Sequence, residues 1–93
     1  MATQFLTRPQ RQPPPLDPEE GDRAALRMVN NLAHTRKIPI IYDAEQRGHP
    51  HKPLWIVTPI IMGEKHYVFQ RCEKTRKDAE NTCALAIWSS GHL

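Results

Sequence analysis

Three cations lie at the start of a segment whose small apolar residues predict a helix. Lys74, Arg76 and Lys77 stand at the beginning of residues 74–90. The first turn of a helix carries unpaired N–H groups and about half a positive charge, so each cation there costs about 0.3–1 kcal/mol at low salt. An anion that binds to the cluster relieves this repulsion, and phosphate is the usual anion at such a site. The pattern makes nucleic acid the first partner to consider, with a solvated charged surface as the alternative.

The helix that carries these cations has a defined start and one apolar side. Thr75 at the N-cap and Asp78 three residues later form a capping box. Small and apolar residues then recur at helical spacing, at Ala79, Cys83, Ala86 and Ile87. This stripe predicts a helix that lies close against a sheet.

Residues 22–36 predict an earlier helix. A helix start signal over residues 17–20 is followed by a second possible start at Asp22, and Pro39 ends the helix. Its apolar residues follow i, i+3 and i+4 spacing, at Ala25, Met28, Val29 and Leu32. Its polar side carries Arg23, Arg27, Asn30, Asn31 and His34.

Three runs rich in β-branched residues predict an antiparallel sheet between the helices. A turn links the second and third runs into a hairpin. Pro59 removes a ladder N–H from the central strand, where we expect a bulge. The strands are expected over residues 38–43, 54–62 and 65–72, with a loop over residues 46–53. This order predicts an α+β fold, α-β-β-β-α, with a three-stranded antiparallel sheet and both helices packed on one face.

Length and composition limit the class of protein. The 93 residues allow one small domain, and five of the nine prolines lie in residues 1–22. We therefore expect a disordered, Pro-rich tail over 1–22, a folded domain over 23–90 and a short tail over 91–93. Two cysteines without partners predict reduced thiols in an intracellular protein of the cytoplasm or nucleus, with mitochondria left open. The sequence contains no run of ~18 apolar residues, so we expect no membrane span.

The order of elements and two motifs resemble the double-stranded RNA-binding domain, a likeness that covers residues 23–90. One motif is the loop with Gly48, Pro50 and His51, and the other is Thr75-Arg76-Lys77-x-Ala79. The resemblance implies that duplex RNA is contacted by the outward face of the first helix, the loop after the first strand and the start of the last helix. The first two enter successive minor grooves, and the third holds phosphates across the major groove between them, over ~16 base pairs.

The resemblance also implies which residues contact RNA. His51 is expected to reach a 2′-hydroxyl or a base edge in the minor groove. The full set is Asn31 and His34 on the first helix, His49, Pro50, His51 and Lys52 in the loop, and Lys74, Thr75, Arg76 and Lys77 at the last helix. The implied function is largely sequence-independent binding of double-stranded RNA, without a cofactor.

Departures from the family pattern motivate an alternative function. Glu80 stands where the family has a third lysine, and it can pair with Arg76 or Lys77 at i+4 or i+3 spacing. The usual Gly-x-Gly before the helix is replaced by residues 71–73. If Trp55, Val57, Pro59 and Ile61 face the helices, the strand parity places three large apolar residues, Ile56, Ile60 and Met62, on the open face of the sheet. A bulge at Pro59 would instead switch the parity and hide Ile60 and Met62. The alternative is a degenerate copy of the fold that acts as a protein-interaction or dimerisation module.

Other readings of the polar residues have less support in the sequence. His49 and His51 lack the paired ligand spacing of a zinc site, so we expect no metal. No nucleophile lies in a recognisable catalytic setting, so we expect no enzymatic activity. Pro15 and Pro18 form a bare P-x-x-P spacing that could recruit a protein partner, although such spacings are common.

Overall fold

A computed structural model describes residues 5–12, residue 15 and residues 21–93. The predicted start signal over residues 17–20 and the P-x-x-P spacing lie outside this part of the chain, apart from Pro15. A short 3-10 turn, Gly21–Ala24, leads into the regular elements. These are α1 (Ala25–Thr35), β1 (Ile40–His49), β2 (Lys52–Ile61), β3 (Glu64–Lys65), β4 (Arg71–Glu73) and α2 (Arg76–Ser90). The predicted α+β order is confirmed, with the third strand divided into two short pieces.

Helix α1 buries the apolar side that its spacing predicts. Ala25, Val29 and Ala33 are buried. The helix ends in a Schellman motif, because the N–H of Ile38 donates to the Ala33 carbonyl (2.8 Å) and that of Lys37 to the His34 carbonyl (3.2 Å). Lys37 holds the left-handed position that glycine usually takes, with φ 58°. This tight stop returns the chain to the sheet at Ile40.

The two helices run side by side in the same direction. Near the start of α1, the N–H of Leu26 donates to Oδ1 of Asn81 on α2 (3.2 Å). Near its end, the Arg36 guanidinium donates to the carbonyl of Leu93, just beyond α2. Both helix N-termini therefore point toward the same end of the molecule.

Strands β1 and β2 form a hairpin longer than the sequence predicts. Their register runs without a break from Ile40 opposite Ile61 to His49 opposite Lys52. The prediction of a first strand ending at residue 43 and a loop over residues 46–53 is therefore wrong, because only Pro50 and His51 link the strands. Gly48 permits this close turn: its φ is 95°, and a Cβ there would lie 2.7 Å from the Lys52 carbonyl oxygen.

The predicted bulge at Pro59 is also wrong, since the pairing with β1 continues through it. The Pro59 carbonyl accepts a hydrogen bond from the His66 N–H (2.9 Å), so the ring nitrogen of Pro59 faces the same side, away from β1. On that side the neighbouring strand is interrupted by a 3-10 turn, Tyr67–Phe69. Beside Pro59, which has no N–H to donate, the neighbouring chain is therefore not a continuous strand. Instead, β3 and β4 pair with β2 on either side of the 3-10 turn.

The strand parity of β2 agrees with the prediction on the face toward the helices. Val57, Pro59 and Ile61 are buried there, and Val57 and Ile61 belong to the core cluster with apolar residues of both helices. On the open face, Ile56 and Ile60 are half-buried. The buried residues of α2 that complete the core are Ala79, Cys83, Ala84, Ile87 and Trp88.

Met62 does not lie on the open face as expected. Strand β2 ends at Ile61, and Met62 follows with a left-handed φ of 55°. This turn directs its side chain against the core cluster. The parity argument fails at this residue because it assumes that the strand continues.

Part of the predicted disordered tail packs on the domain. Phe5 is fully buried, and its ring lies edge-on to those of His66 (5.7 Å), Phe69 (6.0 Å) and His92 (6.0 Å). The N–H of Arg11 donates to the Gly91 carbonyl (2.7 Å). The structure therefore differs from the expectation of a free tail over residues 5–12.

Residues 91–93, predicted to be a short C-terminal tail, are packed against residues 5–12. Gly91 ends α2 in the left-handed conformation, with φ 78°, and is buried. A Cβ on Gly91 would clash with the Arg11 carbonyl oxygen. Arg8 and His92 exchange two bonds, Nε to the His92 carbonyl (2.9 Å) and Nδ1–H to the Arg8 carbonyl (3.0 Å). Leu93 is buried as well.

We expect Phe5→Ala to lower the free energy of unfolding by about 3 kcal/mol, because it empties a fully buried aromatic site. Urea unfolding followed by circular dichroism measures this change. Leu6→Ala is the matched control, since Leu6 is 39% exposed and its loss should change stability by about 0.5 kcal/mol or less. Equal midpoints for the two variants would contradict the docking of residues 5–12.

Candidate nucleic-acid interface

The start of α2 presents cations on a well-capped helix end. The Thr75 hydroxyl accepts a hydrogen bond from the Asp78 N–H (3.1 Å), which confirms Thr75 as the N-cap. Lys74, Arg76 and Lys77 are all exposed. The cap satisfies one of the free N–H groups of the first turn, and the three cations lie next to the cap residue in the sequence.

Glu80 pairs with one of these cations. Its carboxylate lies 3.7 Å from Nε of Arg76, at i+4 spacing, so the predicted pairing is confirmed for Arg76. The Arg76 side chain is 58% exposed and that of Glu80 is 22% exposed. An ion pair this open to water contributes only a few tenths of a kcal/mol to stability, about 0.3–0.5 for i,i+4 pairs. The pair therefore lowers the local positive charge without fixing Arg76 firmly.

The second predicted region is a strand end where a loop was expected. His49 and Lys52 are the last residue pair of the β1–β2 ladder, and Pro50 and His51 form the turn between them. All four are exposed. Neither Pro50 nor His51 has a positive φ. These four residues, 49–52, are the tip of the hairpin. The ladder holds them in a narrow projection that carries two imidazoles and one ammonium group.

The remaining region, the α1 region, combines Asn31 and His34 on the polar side of α1 with the beginning of β1. Asn31 and His34 are exposed on α1, as predicted. A shallow, open depression of about 330 Å³ lies beside His34, between α1 and the beginning of β1. Its polar wall includes Asn30 and Tyr42, whose hydroxyl donates to Oδ1 of Asn30 (3.3 Å).

Tyr42 and Asn30 are site residues that the sequence analysis did not select. Burial raises the pKa of the Tyr42 hydroxyl above its ordinary value, and nearby Cys83 and Glu80 add to the rise. The phenol therefore stays protonated and keeps its proton as a donor. The alternation of strand β1 could have placed Tyr42 toward the helices, but the adjacency of Asn30 depends on how α1 lies across the strand.

The three regions follow one another along the β1–β2 hairpin. The α1 region lies beside Ile40 and Tyr42. The start of α2 follows β4, whose last residue, Glu73, is opposite Trp55, farther along the hairpin. The tip lies at His49. At ~3.3 Å per residue, the seven steps from 42 to 49 span roughly 23 Å. The order along the hairpin is α1, start of α2, tip.

The described residues hold no group of three or more His, Cys, Asp or Glu side chains that could bind a metal ion. Among the same residues, no helix has the length and apolar character needed to cross a membrane. Comparisons with family models, curated proteins and solved structures find no match to this chain. The resemblance to the double-stranded RNA-binding domain is therefore carried by the motifs and the element order alone.

The two thiols should differ strongly in reactivity. Cys83 is buried, and this burial raises its pKa to about 12, while Cys72 is exposed. At pH 8 only about one Cys83 in ten thousand is then a thiolate, which is the reactive form. We expect an alkylating reagent to label Cys72 alone in the native protein and both thiols in urea, as read by mass spectrometry. Cys72→Ser should abolish native labelling; persistent labelling at Cys83 would contradict the packing of α2.

Proposed function

We propose that this protein binds double-stranded RNA by shape, through phosphate and 2′-hydroxyl contacts, with little dependence on sequence. The observation that carries the proposal is the order of three exposed polar regions along one hairpin: α1, the start of α2, and the tip. A rigid surface with two groove-reading regions on either side of a cationic one matches the alternation of minor, major and minor grooves on one side of a duplex.

The cationic helix end supports phosphate contacts in this proposal. Lys74 precedes the N-cap of α2, Arg76 and Lys77 begin its first turn, and all three are exposed. Backbone N–H groups and the helix dipole attract an anion at this position. Two phosphate rows across a major groove would relieve the repulsion among the cations.

The two flanking regions support minor-groove contacts. The tip offers the His49, His51 and Lys52 side chains, while the α1 region offers Asn31 and His34. These groups donate or accept hydrogen bonds with 2′-hydroxyls, which distinguish RNA from DNA. Because only Pro50 and His51 link the two strands, the tip can enter a groove without first ordering a flexible loop.

We expect binding to a ~20-base-pair RNA duplex and much weaker binding to DNA of the same sequence. Neutralising about four to six phosphates should reduce the affinity by about a hundred- to a thousandfold between 50 and 200 mM salt. The double variant Arg76→Ala, Lys77→Ala should lose at least about tenfold in affinity at 100 mM salt. Fluorescence anisotropy with labelled duplexes measures all three.

The control for the double variant is Lys65→Ala, Arg71→Ala, which removes the same charge from exposed positions on the sheet. Its RNA affinity should fall less than that of the helix variant. Equal losses in the two variants would show that only net charge matters. Equal affinity for RNA and DNA, or none for either, would overturn the proposal.

Removal of the Glu80 carboxylate should strengthen RNA binding. Glu80→Gln frees Arg76 from its 3.7 Å ion pair, so we expect affinity to rise by about two- to threefold. Asp43→Asn is the matched control, because it removes the same charge and breaks a similar pair, with Lys65 at 3.2 Å, on the open face of the sheet. An equal gain in both variants would rule out a specific effect at the helix end.

A protein contact through the open sheet face is the second candidate function. Ile41 lies on this face, and Tyr67 and Val68 lie in the 3-10 turn between β3 and β4. All three are between 63% and 66% exposed, which is high for large apolar side chains. Exposed apolar groups of this kind often mark protein interfaces. This candidate gains weight if no duplex RNA binds.

A further inference from the structure

The long strand β1 has one unpaired edge. The Pro39 carbonyl accepts a hydrogen bond from the Met62 N–H (2.9 Å). The backbone N–H and C=O groups of odd-numbered β1 residues therefore point toward β2. The backbone groups of successive strand residues point in opposite directions. Those that face away from β2 belong to Ile40, Tyr42, Ala44, Gln46 and Gly48. Within the described part of the chain, β1 pairs with β2 alone.

The side chains along this edge include both acidic and basic groups. On the open face they are Asp43, Glu45, Arg47 and His49, and all four are exposed. Natural sheets often protect an edge with charged side chains, most often lysines, that repel another strand. Here the acidic residues come first and the basic ones follow. An antiparallel second copy reverses this order and so presents the opposite charges.

We propose that β1 pairs with β1 of a second copy of this chain, antiparallel and centred on Gln46. In this register Glu45 lies opposite Arg47 of the second copy, and Asp43 lies opposite His49 of the second copy. The two-fold axis repeats each pair, which gives two Glu–Arg ion pairs and two Asp–His pairs across the strands. These odd-numbered residues occupy the non-hydrogen-bonded positions, where side chains approach most closely.

The face toward the helices fits the same register. Ala44 lies opposite Gly48 of the second copy, and Gln46 lies opposite its own equivalent. Two small residues facing each other leave room for the strands to approach, and two amide side chains can donate to and accept from each other. The even-numbered backbone groups, which β2 leaves free, become the hydrogen-bonded positions of the new ladder.

Neighbouring registers are less favourable. If the pairing were centred on Ala44, Asp43 would lie opposite Glu45 of the second copy, and like charges would meet twice. If it were centred on Glu45, this carboxylate would lie opposite itself. Registers centred between residues would set an outward-facing backbone group opposite an inward-facing one. Among these registers, charge and backbone parity together favour the one centred on Gln46.

The proposed pairing goes beyond RNA binding and has a geometric consequence for it. With Gln46 at the centre, Pro50 of one copy lies opposite Tyr42 of the other. The hairpin tip of each copy is therefore placed beside the α1 region of its partner. The dimer is measured in the absence of RNA, so its failure and the failure of RNA binding are separate results.

Sedimentation velocity from about 10 μM to about 1 mM tests the pairing. The wild-type protein should shift from 10.7 kDa toward twice that mass as its concentration rises. Gln46→Pro should remain at monomer mass, because it removes a central N–H of the free edge and leaves the β1–β2 ladder intact. Gln46→Ala, which keeps that N–H, should still dimerise. Val68→Asp should dimerise as well, because Val68 lies across β2 from this edge.

Charge reversal provides a second test that does not alter the backbone. Glu45→Arg and Arg47→Glu each place like charges opposite one another twice, and each should weaken the dimer by about tenfold or more. The double variant Glu45→Arg, Arg47→Glu restores unlike pairs and should return the dissociation constant to within about threefold of the wild type. A wild-type protein that stays at 10.7 kDa throughout, or a double variant no stronger than the single ones, would overturn the proposal.

Discussion

Ten consecutive residues of β1 pair with ten of β2 without a break, and the other elements take their positions from this ladder. The Schellman motif after α1 directs the chain to Ile40, the first residue of the ladder. The short strands β3 and β4 attach to β2, and β4 releases the chain into α2 beside the far half of the hairpin. Because the ladder is continuous through Pro59, the hairpin keeps one register from base to tip. The spacing of the three candidate RNA-binding regions therefore depends on this single register.

The helices and the order of elements could be predicted because their signals are local. The apolar spacing of α1 and the cap of α2 depend on residues a few positions apart, and both agree with the structure. The length of the hairpin could not be predicted in this way. Gly48 and Pro50 favour a loop locally, and only pairing across to Lys52 keeps this segment extended. Phe5 was missed for a similar reason, since its site is built from His66, Phe69 and His92.

The candidate site divides along the same line. The cations at the start of α2 and the pairing of Glu80 with Arg76 follow from helical spacing and could be predicted. The depression between α1 and β1 could not, because Asn30 and Tyr42 meet only through the crossing of a helix and a strand. The tip has the residues that were predicted but a different backbone. Sequence motifs identify the groups that can bind, whereas long-range packing decides how they are presented.

The contact between residues 5–12 and the end of α2 has a consequence for how the domain folds. Arg8 and His92 are 84 positions apart, and they are joined by two hydrogen bonds. Closing so long a loop is entropically slow, so this contact is expected to form after the helices and the hairpin. During synthesis, Phe5 emerges before His66, Phe69 and His92, so it can reach its site only when residue 92 has followed. Until then the aromatic site that buries the Phe5 ring is incomplete.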